Sequence, residues 1–179
     1  MASPNDRPRL DARFYGMLVA AGPITYLVHE GAHRIVGRAV GLDVAFSLNG
    51  VTPIGGATQD QALAMSAAGP AITYVQALIA YLAVRRLASP VAFVVLLWAA
   101  FMRVVATGIS IVLPNDEARV GLALGLGYWT VPLVASGLLC ALAWSAARAF
   151  HLRVRDYLIC YVLLSVVTAA IVFGDRFLL

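Results

Sequence analysis

Polar residues along this chain are gathered into short stretches that separate five apolar runs, each close to the roughly 20 residues an α-helix needs to cross a bilayer. The runs cover residues 14–37, 62–84, 90–114, 128–149 and 156–173. Gly22-Pro23 puts a kink point in the first, and Arg85-Arg86 closes the second. Residues 119–127 are glycine-rich and fit either an extension of the fourth helix or a short lead-in to it. Residues 42–59 have a different texture. Asp43 to Leu48 has strand-like content, and Asn49-Gly50 and Pro53-Ile54-Gly55-Gly56 are turn chemistry. A short hairpin or a re-entrant loop is expected there, with a plain extramembrane loop as the alternative. The pattern predicts an all-α polytopic membrane protein of about five transmembrane helices.

Composition sharpens this picture. The chain is 61% hydrophobic and 12% charged, with a mean hydropathy of +0.86, whereas about a quarter of a soluble domain's residues are charged. A lipid bilayer is the expected surrounding. The net charge of +4 comes from arginine alone, because the 179 residues include no lysine. The arginines cluster at the ends of the apolar runs, where they set topology, so no nucleic-acid partner is expected. With the N-terminus inside, Arg7, Arg9, Arg13, Arg85, Arg86, Arg148, Arg153 and Arg155 are internal, and Arg34, Arg38, Arg119 and Arg176 are external. Eight against four favours N-in and C-out. Cys140 and Cys160 both fall in apolar runs and read as packing residues. No cleavable signal peptide is expected, since the first apolar run carries the chain's main chemical motif.

That motif is His29-Glu30-Gly31-Ala32-His33, an H-E-x-x-H within the first run. Residues four apart on an α-helix lie about 40° apart on one face, so both imidazoles can reach one Zn²⁺. Glu30 then stands beside the ion, placed to take a proton from a bound water. A structural alternative pairs Glu30 with Arg34 at i,i+4 and leaves the histidines at an interface. A catalytic zinc wants a third protein ligand. The spans alternate in direction, so the end of the first, the start of the second and the end of the third share one membrane face. Three polar features converge there: the histidine motif, Ser66 to Pro70, and Asn115-Asp116-Glu117. Asp116 is the expected third ligand, with Asn115 as an amide able to orient it. Glu117 is the nearest competitor and Asp60 a more distant one. His151 falls at the opposite face and is a poor ligand. Arg103 lies in the middle of the third span, where an intramembrane charge marks either a functional site or a pair inside the bundle.

Taken together these motifs resemble the site-2 protease family of intramembrane zinc metalloproteases. The resemblance rests on His29–His33 in an early span, Ala68-Gly69-Pro70 opening the next, and Pro114-Asn115-Asp116 after the third. It covers roughly residues 14–135. The family commonly has Asp-Gly where this chain has Asp116-Glu117, and asparagine where it has Thr73. The resemblance implies a single transmembrane metalloprotease domain over residues 1–179, in a compact form without the PDZ domain many relatives carry. The core would be residues 14–135, with additional C-terminal helices at 128–174. It further implies one Zn²⁺ per chain held by His29, His33 and Asp116, with Glu30 as general base. The activity would be hydrolysis of peptide bonds within or next to transmembrane segments of a membrane-protein or peptide substrate. The setting would be a bacterial or archaeal cell membrane. Family members commonly turn the catalytic end to the cytosol, opposite to the arginine count. Two other readings use the same residues: a zinc hydrolase of a lipid or other membrane-soluble amide, and a non-catalytic metal-binding membrane protein. Glu30 favours catalysis, because binding alone needs only the histidines.

Overall fold

The computed structural model describes residues 10–175, which are mostly helical. The helices are α1 (Ala12–Ala39), α2 (Gln59–Leu87), α3 (Pro90–Ile109), α4 (Asp116–Ala123), α5 (Thr130–Ala147) and α6 (Val154–Gly174), with strands β1 (Val44–Ser47) and β2 (Gly50–Pro53) between α1 and α2. Of these, α2, α3, α5 and α6 are each long and apolar enough to cross a membrane. Helix α1 has the length, at 28 residues, but carries Glu30, Arg34 and Arg38 in its C-terminal half.

Helix boundaries follow from local chemistry. Asp11 caps α1 by accepting from the Phe14 N–H at 2.9 Å. Thr58 and Gln61 form a reciprocal capping box at the start of α2. Ser89 caps α3 and Pro90 fills its first turn, where a missing N–H costs nothing. The third apolar run continues to Leu113, but the helix stops at Ile109. Ile111, Val112 and Leu113 are left outward-facing, so the apolar pattern outlasts the helix. Residues 119–127 do not extend α5: 119–123 belong to the separate helix α4, and 124–127 are a glycine-rich lead-in in which Gly125 and Gly127 reverse the chain at φ +70° and +86°.

Helices α1, α2 and α3 pack on one another around Phe14, Leu18, Ala77, Val84, Phe93, Leu96 and Trp98, all essentially buried. Helix α5 covers α3, α6 covers α1, and α4 lies against α2 and α5. Pro23 leaves the Val19 carbonyl without its helical donor, and next to that gap Trp98 Nε1 donates to the Leu18 carbonyl at 2.7 Å. Here the helices approach closely because residue 22 has no side chain. A Cβ on Gly22 would stand 2.5 Å from Val167 Cγ1 and 2.7 Å from the Trp98 ring.

Arg13, Arg85, Arg86, Arg148, Arg153 and Arg155 lie at one end of the bundle and Arg34, Arg38 and Arg119 at the other, with Arg103 buried between. Arg7, Arg9 and Arg176 fall outside the described residues. Gly22→Val should wedge α1 away from α3 and α6 and destabilise the bundle by roughly 1–3 kcal/mol. Thermal unfolding in detergent checks this, with Gly16→Val as control, since a Cβ at Gly16 meets nothing within 4 Å.

Candidate metal centre

Two histidines one helical turn apart bring their rings together on the buried face of α1, His29 and His33 being 4% and 5% exposed. Their outer nitrogens are both committed to α2. His33 Nδ1 lies 2.6 Å from the Met65 carbonyl, which can only accept, so that nitrogen carries the hydrogen. Thr73 donates its hydroxyl to the Gly69 carbonyl at 2.9 Å, which leaves its oxygen to accept from His29 Nδ1 at 3.0 Å. Each neutral ring therefore presents a bare lone pair at Nε2.

Those two Nε2 atoms stand 3.2 Å apart, and Asp116 Oδ2 lies 3.7 Å from the first and 3.3 Å from the second. With both rings neutral, three acceptors converge with no hydrogen among them; the nearest donor among the described residues is Arg103 Nη2, 3.5 Å from His29 Nε2. A proton on one Nε2 would satisfy a single pair. A cation shared by all three satisfies the whole set, so His29, His33 and Asp116 can hold a metal ion.

The Gly69-Pro70 step of α2 makes this packing possible. A Cβ on Gly69 would come within 2.7 Å of the His29 ring and closer still to His33 Nε2. Pro70 removes the helical donor to the Ser66 carbonyl and interrupts the ladder beside the Met65 carbonyl that accepts from His33. The Thr73 hydroxyl fills the position where the family resemblance suggested an amide, and it orients a ligand ring.

Adjacent carboxylates separate cleanly. Asp116 faces the imidazoles, whereas Glu117 is 2% exposed and takes Arg103 Nη1 at 2.7 Å and the Tyr74 hydroxyl at 3.1 Å on Oε1. Asn115 does not reach the Asp116 carboxylate as expected. Its Oδ1 caps α4 by accepting from the Ala118 N–H at 2.8 Å, so it places Asp116 through the helix start. Asp60 sits exposed in the first turn of α2, outside this cluster. His151 follows α5 near Phe150, which stacks on Phe93 at the far end of α3.

Glu30 is 8% exposed and lines two adjoining cavities, of about 250 and 160 Å³, together with Asp116 and Asn49. Arg34 stands over the Phe46 ring at 5.1 Å, and no Glu30–Arg34 ion pair forms among the described residues. Residues 43–54 form an antiparallel hairpin, Val44↔Pro53 to Ser47↔Gly50, closed by Leu48-Asn49. Its β2 side, Gly50, Val51 and Thr52, lines the larger cavity. Larger apolar grooves, of about 480 Å³ between α2 and α5 and about 310 Å³ among α3, α5 and α6, contain none of His29, His33 and Asp116.

No family model, curated protein or solved structure matches the chain. The residues themselves therefore carry the functional reading. Metal analysis of purified protein should find that His29→Ala and His33→Ala abolish stoichiometric binding, and that Asp116→Ala weakens it more than Glu117→Ala does. The reverse order for the two carboxylates would make Glu117 the ligand.

Proposed function

We propose that this chain is a multi-pass intramembrane zinc metalloprotease, with α1 as a fifth span, that hydrolyses peptide bonds within or next to transmembrane segments of protein substrates. The observation that carries this reading is the three-acceptor cluster of His29, His33 and Asp116 with Glu30 and a strand edge at its open side. A tetrahedral zinc with bonds of about 2.0–2.2 Å sets its ligands roughly 3.3–3.6 Å apart, close to the 3.2, 3.3 and 3.7 Å separations found here. Zinc held there would supply Lewis acidity and a water of lowered pKa, near 7.

The chain's own residues account for the rest. His29 and His33 are held in one tautomer by Thr73 and Met65, so no proton competes for the inward lone pairs. The Glu30 carboxylate, beside Asp116 in both cavities, accepts the attacking water's proton and returns it to the leaving amine. A helical substrate hides its carbonyls in hydrogen bonds, so it must unwind before cleavage. Strand β2 offers a place to hold the unwound stretch. In this register Phe46↔Val51 is a non-hydrogen-bonded pair, so the Val51 N–H and C=O point to the free edge. Thr52, Asn49, Ser66 and Arg119 give that cavity a polar lining suited to peptide rather than acyl chain, which favours a peptide substrate over a lipid.

Two experiments test the reading. Glu30→Gln should retain metal and fold while hydrolysing single-span substrates at least ~10²-fold more slowly; a fully active variant would refute the mechanism. Val51→Pro removes the outward donor without touching a hairpin hydrogen bond. It should slow cleavage several-fold, the worth of one backbone hydrogen bond at about 0.5–1.5 kcal/mol, whereas Val51→Ala should not. Leu48 is unsuited to this test, because its N–H is already held by Asp175 Oδ1 at 3.0 Å.

A further inference from the structure

The Arg103–Glu117 pair is the largest investment of buried charge outside the metal ligands, at 3% and 2% exposed. Charges inside a membrane bundle are costly, and a buried ion pair is often no more stabilising than apolar side chains of similar volume. This pair is also incompletely satisfied. Among the described residues Arg103 Nε and Glu117 Oε2 have no partner, and within the pair only Nη1 meets Oε1. A bidentate pairing would serve stability better, so stability alone does not account for the arrangement.

Position does. Glu117 is the neighbour of Asp116 in the first turn of the eight-residue helix α4. Its Oε1 is gripped from α3 by Arg103 and from α2 by Tyr74. Consecutive helical residues point about 100° apart, so pinning Glu117 into the bundle sets the direction in which Asp116 leaves the helix. The other arm of Arg103, Nη2, lies 3.5 Å from His29 Nε2, the lone pair an ion would take, so its hold on the centre runs through Glu117. Its own backbone is tied down as well, the Arg103 carbonyl accepting from Ser136 Oγ at 3.0 Å.

We propose that Arg103 and Glu117 are positioning residues of the metal centre, holding Asp116 at metal-binding distance before any ion arrives. This rests on the metal-site reading above. The full chain in detergent, titrated with Co²⁺ and followed by d–d absorption, tests it alongside thermal unfolding. The double variant Arg103→Met/Glu117→Leu removes both charges together and should unfold near the wild-type temperature. Its Co²⁺ affinity should fall about 10–100-fold, the range for loss of an outer partner of a ligand, and its absorption bands should change. Arg103→Lys keeps an ion pair to Glu117 but not the planar fork, so it should fall in between. Should the double variant fail to fold, Tyr74→Phe decides, since it deletes only one hydrogen bond to Glu117 and should still weaken Co²⁺ binding. Wild-type affinity and spectrum in a folded double variant, or in both Arg103→Lys and Tyr74→Phe, would overturn the proposal. A wild-type protein that binds no Co²⁺ would overturn the metal-site reading and this inference with it.

Discussion

Everything at the centre of this protein depends on the commitment of two histidine nitrogens to the neighbouring helix. Because Met65 and Thr73 take the outer hydrogens, the inner nitrogens have nothing to donate and face each other and a carboxylate as bare acceptors. That state is unfavourable by itself, and a cation shared by the three would relieve it. The requirement propagates outward. α1 and α2 must approach closely enough for Met65 and Thr73 to reach the rings, and that approach requires a residue without a side chain at Gly69. Pro70, one residue on, interrupts the helical ladder where the Met65 carbonyl is needed. A Gly-Pro pair that is weak as a motif thus has two separable physical tasks.

Much of this was legible in the sequence, and the reasons differ from residue to residue. The spacing of His29 and His33 translates directly into a shared helix face, because a helix leaves little freedom at i,i+4. Strand formers and turn residues at 43–56 locate the hairpin but not its register, since the turn falls on Leu48-Asn49 and Gly50 pairs with Ser47 in β2. The apolar runs locate the helices but not the end of α3, because a hydrophobic tail at a membrane edge needs no helical partner to justify it. The carboxylate pair is the harder case. Asp116 and Glu117 are chemically alike and adjacent, and only the packing of α4 against Arg103 and Tyr74 turns one inward to the bundle and the other to the imidazoles. The Met65 carbonyl left no trace at all, since a backbone acceptor has no residue-type signal. Asn115 was recognisable as important for the site, but its role is to start a helix.

Intramembrane polarity in this bundle is concentrated rather than scattered. The Arg103 guanidinium, Glu117, Tyr74 and the ligand cluster occupy one layer, and the hydroxyls of Thr107 and Ser136, 2.6 Å apart, continue it between α3 and α5. Elsewhere the helices meet mainly through aromatic and aliphatic contacts such as Phe93 on Phe150, with separate polar contacts at Tyr81–Ser145 between α2 and α5 and Tyr15–Asp156 between α1 and α6.

The bond from the Leu48 N–H to Asp175 spans 127 positions of the chain. It moors the turn of a hairpin encoded early to the end of a helix encoded late. A chain synthesised in order therefore has its histidines and its aspartate before the wall beside them is anchored. The hairpin beside the cluster is thus tied to α6, so elements from both ends of the described chain must meet to hold it.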